Sequence, residues 1–323
     1  MTKARNIRWI LAAAAVMLVS AAHSQEWPTR PIKWVVPYLP GTAPDTIVRV
    51  VGDAMRDILK QPVVVENRAG AAGNIGAQQV ARAPADGYTW IYSATTMATS
   101  MRMYKNPGYD ALNDFRHVGR ISRSDLLLVV PADSEIKSAR TLIEKLRQNP
   151  GKLNYGSGGI GTPAHMGTEL LLNAIGAEAM HVPFKGASET ANALVGKQIE
   201  FGLTIFAVSL PHVQTARLTA LAVTAPRRNP RLPDVPTLAE AGIPGVSLVS
   251  FGGLSVPAGT QDRLVNRLNE VLNRALERPE VRAKVESLGG AIAPSTPEQY
   301  AEDLKAEIAL TERMMRVAKL EAQ

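Results

Sequence analysis

The 323-residue chain has no cysteine. That excludes a disulfide framework, a thiol nucleophile and anchoring through a lipidated cysteine, so an ordinary apolar core must carry its stability. Zinc-ligand spacing is also missing. His23, His117, His165, His181 and His212 are scattered, and no pair is four residues apart as in His-x-x-x-His. The serine-hydrolase pattern G-x-S-x-G is absent, since Tyr155 stands two places before Ser157. No catalytic group, metal or cofactor is therefore expected. No dense Lys/Arg run with interleaved aromatics occurs either. Arg227, Arg228 and Arg231 sit among proline and asparagine and read as a solvated loop, which argues against nucleic acid as a partner.

Long apolar runs are missing except near the start. Lys3, Arg5 and Arg8 precede the apolar stretch Ile10–Val19, followed by small residues that permit cleavage after Ala22 or Ser24. This reads as a secretory leader over residues 1–24, too short to favour a membrane anchor. It supplies three of the formal +7 charges and no acids, leaving a mildly basic +4 beyond it. An exported protein in the periplasm is expected. The remaining length suits two domains of about 150 residues each.

Along the chain, short apolar runs alternate with helical patterns. Ile32–Tyr38, Val63–Glu66, Tyr88–Ser93, Leu126–Val130, His181–Phe184, Phe201–Thr204 and Leu218–Thr224 read as strands. Thr46–Leu59 has Ile47, Val50, Val51, Ala54, Met55 and Ile58 on one helical face, and Pro297–Lys319 carries Tyr300, Leu304 and Ile308 as a stripe. The alternation implies an α/β fold with parallel-rich sheets. Arg120–Val130 and Val246–Pro257 are extended enough to cross between domains, which makes the first domain discontinuous. We expect domain 1 at 25–124 plus 252–323 and domain 2 at 125–251.

Two loops share one design. Pro40-Gly41-Thr42-Ala43-Pro44-Asp45 lies between a strand and a helical pattern, and so does Gly156-Ser157-Gly158-Gly159-Ile160-Gly161-Thr162-Pro163. A helix start offers unpaired N–H donors and a partial positive charge, which suits an anion. Two such loops suggest a carboxylate gripped from two sides. Thr42 with Asp45 fits a capping box, and Thr162-Pro163 fits an N-cap followed by proline at the first helical position. Asp45 either starts the helix, orients the loop, or accepts from a ligand O–H or N–H. His165 is either an exposed first-turn residue or a ligand contact. Gly156–Gly161 matches G-x-G-x-x-G, but the following strand ends in Lys185-Gly186 where a dinucleotide site wants an acid. A third glycine-rich turn, Glu66–Gly76, either serves tight turns or lines a cleft through Asn67 and Asn74.

Several ordered motifs together resemble the tripartite tricarboxylate transporter solute receptors, also called Bug or TctC-type proteins. They are Trp27–Ile32, Val36-Pro37-Tyr38, Pro40-Gly41 with Asp45, Val65–Gly70, Ala85–Thr89, Asn154–Gly161, His165, His181–Gly186, Leu232–Thr237, Glu240-Ala241-Gly242 and Val256–Thr260. The resemblance implies a periplasmic binding-protein fold of type II-like kind, with two α/β domains flanking a cleft. It implies a small carboxylate held by the two loops, delivery to membrane permease subunits or a sensor kinase, and a monomer. On that frame the candidate ligand residues are Tyr38, Thr42, Ala43, Asp45, Asn74, Ser93, Thr95, Ser157, Gly158, Gly161, Thr162, His165, Lys185 and Phe206. The sequence departs from the family where Thr42 replaces a second glycine, where Pro44 follows, and at Val249-Ser250-Phe251-Gly252, where Trp-(Phe/Tyr)-Gly is common. A secreted hydrolase on a similar frame is the alternative, disfavoured by the lack of a nucleophile with its base.

Overall fold

The computed structural model describes residues 27–159, 162–184, 186–246, 248–317 and 319–322. The leader with its cleavage sites, Gly161 and Lys185 lie outside these described residues. The chain runs β1 (Ile32–Val36), α1 (Ala43–Leu59), β2 (Val63–Asn67), α2 (Asn74–Ala81), β3 (Thr89–Ala94), α3 (Thr95–Met103), β4 (Phe115–Pro131), α4 (Ala139–Gln148), β5 (Asn154–Ser157) and α5 (Pro163–Ile175). It continues with β6 (Met180–Pro183), α6 (Ala187–Val195), β7 (Phe201–Ile205), α7 (Phe206–Gln214), β8 (Leu218–Val223), β9 (Val249–Pro257), α8 (Asp262–Leu276), α9 (Pro279–Ser287), β10 (Ala291–Ile292) and α10 (Pro297–Val317).

Strand pairing sets the geometry of everything else. β1 pairs in parallel with β2 and β3, β3 pairs antiparallel with β9, and β9 antiparallel with β4 up to Asp125. From Leu126 onward the same β4 pairs antiparallel with β7 and β8, and β7, β5 and β6 are mutually parallel. β4 thus leaves one sheet in the direction of β1 and β3 and enters a second sheet whose strands run the opposite way. The carboxyl ends of β1 and β3 therefore face the carboxyl ends of β5 and β7. Ala94 at the end of β3 reaches Ser122 through Gly252, and Ile205 at the end of β7 pairs with Leu126. Four residues of strand separate them, about 13 Å at 3.3 Å per residue.

Each lobe has its own apolar core. In the first, α1 buries Ile47, Val48, Val51, Ala54, Met55 and Leu59 against a sheet face where Trp34 and Trp90 meet edge to face at 5.4 Å. Val50 and Ile58 are only half-buried, so the buried stripe lies slightly round from the expected one. α1 stops at Lys60, whose left-handed backbone (φ 57) lets its N–H return to Arg56. In the second lobe, Leu126, Leu128 and Val130 of β4 pack with Tyr155, Phe201 and the apolar side of α5. α10 belongs to both. Tyr300, Leu304 and Ile308 join the first lobe, and Met314 and Met315 join the second. The crossing is tight at Gly253, where a β-carbon would collide with the Gly119 carbonyl and the Tyr300 ring.

Candidate functional site

The first loop is built around Asp45, which is only 3% exposed. Its carboxylate accepts from the Gly41 N–H at 2.9 Å and from Asn67 Nδ2 at 2.9 Å, and it pairs with Arg49 at 2.9 Å. Asn67 Nδ2 also donates to the Tyr38 carbonyl at 3.1 Å, so strand β2 ties the loop down. Burial pushes the Asp45 carboxyl up, but the hydrogen bonds from Arg49, Gly41 and Asn67 outweigh it and leave it below the usual carboxylate range. With these partners Asp45 organises the loop.

Thr42 corrects the capping-box expectation. It has the extended backbone of an N-cap, yet its hydroxyl makes no cap bond and donates to the Leu39 carbonyl at 2.8 Å. Asp45 reaches back one residue further than a capping box requires, to Gly41. The hydroxyl closes the turn, and the N–H of Ala43 is left among the unpaired donors of the first helical turn.

The second loop repeats the turn. Thr162 donates to the Gly159 carbonyl at 2.8 Å, three residues back as in the first loop, and its oxygen accepts from the His165 N–H at 3.4 Å. Here the threonine does cap, with Pro163 at the first helical position and the Ala164 N–H among the unpaired donors. Ser157 is fully buried. Gly158 packs so close to the start of α6 that a β-carbon would lie 3.1 Å from Ala187 N. His165 is 4% exposed, which corrects its reading as an exposed first-turn residue. Its ring stacks on His181 at 4.0 Å.

Two more helices start at facing strand ends, α3 after Ala94 and α7 after Ile205. Tyr38 stands beside the first loop with its hydroxyl 2.6 Å from Thr96 Oγ1, and burial raises its phenol. A small recess of about 10 Å³ opens here, lined by Pro37, Ala72, Gly73, Tyr92, Thr96, Met97 and Tyr109 among others. Asn74 is buried behind it, accepting from Tyr109 OH at 3.1 Å. Thr95 clips the crossing strand: its oxygen accepts from the Phe251 N–H at 2.9 Å and its hydroxyl reaches the Phe251 carbonyl at 3.3 Å. Two candidates do not line the cleft. Ser93 is fully buried and hydrogen-bonds Ser255 and Tyr300, because period-two alternation turns it into the first core. Phe206 is fully buried beneath α7 with Leu127, Val129 and Leu210.

Arg49, Tyr92, Thr96 and His181 are the site residues that sequence reading misses, and Asn67, offered as a cleft residue, instead ties the first loop down. Asn67 and His181 fall inside quoted motifs, but nothing local indicates what they touch. A larger shallow groove, lined by Lys137, Arg147, Ile175 and Pro236 among others, lies at the far end of α5, about 18 Å of helix from the loop. Among the described residues no cluster of three His, Asp or Glu side chains suits a metal, and no helix is long and apolar enough to cross a membrane. The pair Ser157–His181, 2.7 Å apart, has the composition of a nucleophile and base. Ser157, however, has no solvent exposure and is held by Gly159 on both its donor and acceptor sides.

The buried imidazoles make stability depend on acid. Burial pushes His117 down to about 4, burial and then the neighbouring His181 push His165 down to about 4, and burial lowers His181. The unfolded chain takes up these protons near pH 6.5, before the folded one does, so stability is full above that pH and falls toward pH 4. Glu307, raised by burial to about 7, works the other way and offsets roughly one imidazole. At pH 5 the His117 and His165 imidazoles each cost up to about 2 kcal/mol. Urea unfolding at pH 7.5 and pH 5 should show a lower midpoint at pH 5, and His117→Gln should narrow the gap. Equal midpoints would contradict this.

Residues 47–316 match the tripartite tricarboxylate transporter family receptor, TctC. A protein from Pseudomonas sp. strain P51, described by its position in the tcbD-tcbE intergenic region, is 37% identical over 315 residues, covering 96% of this chain and 93% of its own. The solved structure of Rhodopseudomonas palustris Rpa4515 with adipate superposes with a TM-score of 0.82 at 32% identity, covering 92% of this chain and 100% of that one. MatC from the same organism, with bound malate, gives 0.75 at 28% identity, covering 89% and 99%. The fold is that of the periplasmic binding proteins, receptors and not enzymes. Its fold, its facing helix starts and its match over most of its length make this chain a member of the tripartite tricarboxylate transporter receptor family.

Proposed function

We propose that this protein is a periplasmic receptor that captures a small carboxylate between its lobes and delivers it to the membrane subunits of a tripartite tricarboxylate-type transporter. One observation carries the reading. Two helix starts of the same construction, Thr42 to Asp45 and Thr162 to His165, lie at strand ends that face each other across the crossing strands. Each offers first-turn N–H groups and the positive end of a helix dipole, so an anion between them satisfies donors from both sides. Relatives with bound adipate and malate support this ligand class.

The recess beside Tyr38 has no lysine or arginine in its lining and is walled by Ala72, Ile91, Met97 and tyrosines. At about 10 Å³ it holds roughly one water and not the body of an acid, so the loop donors carry the contact with the carboxylate. We take residues 25–124 with 252–323 as one lobe and 125–251 as the other, hinged where β4 and β9 cross.

A thermal-shift screen of aliphatic and aromatic carboxylates, including adipate and malate, should find at least one that raises Tm and binds at micromolar Kd or tighter, about −8 kcal/mol. Small-angle scattering at saturation should show a smaller radius of gyration, because donors come from both lobes. A screen with no hit would remove the ligand class, and a constant radius at saturation would remove lobe closure.

A further inference from the structure

His181 lies on the edge strand β6, outside both ligand loops, yet it is wired to one of them. Its ring sits in a three-ring stack, 4.9 Å from Tyr155 and 4.0 Å from His165, with planes within 20° of each other. Its Nε2 lies 2.7 Å from Ser157 Oγ. Ser157 has a single hydroxyl proton, for which the Gly159 carbonyl 3.0 Å away, able only to accept, competes with His181 Nε2, and its oxygen also receives the Gly159 N–H at 3.2 Å. With that proton engaged on Gly159, the donor between Ser157 and His181 is the imidazole Nε2–H. The Gly159 carbonyl in turn takes the Thr162 hydroxyl, and Thr162 caps the helix at His165 N. Hydrogen bonds thus run unbroken from the imidazole through Ser157, Gly159 and Thr162 to the first turn of α5.

We propose that His181 is a positioning residue for ligand binding: its Nε2–H holds Ser157, and through Ser157 it holds the turn that presents the first N–H groups of α5 to a carboxylate. This rests on the proposed function, in which that turn contacts the ligand. The stack fixes the ring plane, so Nε2 has little freedom to leave Ser157. The separation of 24 positions between the two partners places the constraint on a neighbouring strand, where it does not compete with ligand for the loop.

Imidazole ¹⁵N spectra at pH 7.5 test the donor assignment. His181 should show the Nε2–H tautomer in the wild type and lose that preference in Ser157→Ala. An Nδ1–H tautomer, or one indifferent to Ser157→Ala, overturns the proposal. Hydrogen exchange at the Gly159 and His165 amides should accelerate at least tenfold in His181→Leu and less than threefold in His181→Gln, which keeps an N–H donor. Ile91 in the other lobe should keep its protection in both, which shows that the variants are folded. Unchanged exchange in His181→Leu also overturns the proposal. Calorimetry with adipate and malate should show at least tenfold weaker binding in His181→Leu, largely rescued in His181→Gln. If neither acid binds the wild type, these two ligands fail for the proposed function, while the tautomer and exchange results still decide the role of His181.

Discussion

Asp45→Ala should abolish measurable carboxylate binding, a loss of at least a hundredfold, and should also lower Tm. The carboxylate is the common acceptor for Gly41 N–H, Asn67 Nδ2 and Arg49. Arg49 is half exposed and Gly41 is exposed, so both can turn to water, while half-buried Asn67 loses one of its two acceptors and keeps the Tyr38 carbonyl. An unpaired buried donor costs about 1–3 kcal/mol, and with only Asn67 partly shielded a stability loss of about 1–2 kcal/mol is expected together with release of the loop. Asp45→Asn keeps the shape and one acceptor oxygen while losing the ion pair, and should fall between wild type and alanine in both Tm and Kd. If Asp45 instead accepted a hydrogen bond from ligand, Asp45→Asn would lose as much affinity as alanine with Tm unchanged. Parallel melting and calorimetric titration of the two variants separate these roles.

The second large effect is expected at Gly158. A β-carbon there would lie 3.1 Å from Ala187 N and from the Gly186 carbonyl carbon, both backbone atoms that cannot swing aside. Valine adds two methyl groups to that contact. Gly158→Val should force the second loop away from α6, cost about 1–3 kcal/mol of stability, and weaken carboxylate binding at least a hundredfold. Gly158→Ala meets the same backbone with one carbon only and should lose less of both. Wild-type affinity in Gly158→Val, measured by calorimetry, would show that the loop adjusts freely or that it does not hold the ligand.

These expectations separate what the sequence discloses from what it hides. The two loops are legible because their signals are local: glycine and proline punctuation, a threonine before the helix, and an apolar run before each. The extended crossings are legible in outline, but the full length of β4 is not. Arg116, Arg120 and Arg123 make its first half look like a solvated segment. Arg120 and Arg123 are answered by Asp303, about 180 residues on in α10, and Asp125 by Asn229 in the second lobe. No window of sequence contains both partners. The direction of a hydroxyl is equally hidden. Thr42 and Thr162 look alike, yet one closes a turn while the other also caps. Ser93 sits near a strand end, where ligand residues gather, but its register points it to Ser255 and Tyr300. Phe251, which keeps the family pattern next to Ser250, where it departs, is held through its backbone by Thr95, so that contact does not depend on the Phe251 side chain.

The central claim is that one carboxylate ligand is held by both loops at once. Amide ¹H–¹⁵N spectra recorded during titration with the acid selected by thermal shift test it most directly, read at Ala43 in the first loop and Ala164 in the second. Both amide protons should move downfield along a single saturation curve, as expected for two helix starts donating to one bound anion. Movement at only one of them, or at neither while calorimetry reports saturation, would contradict the account.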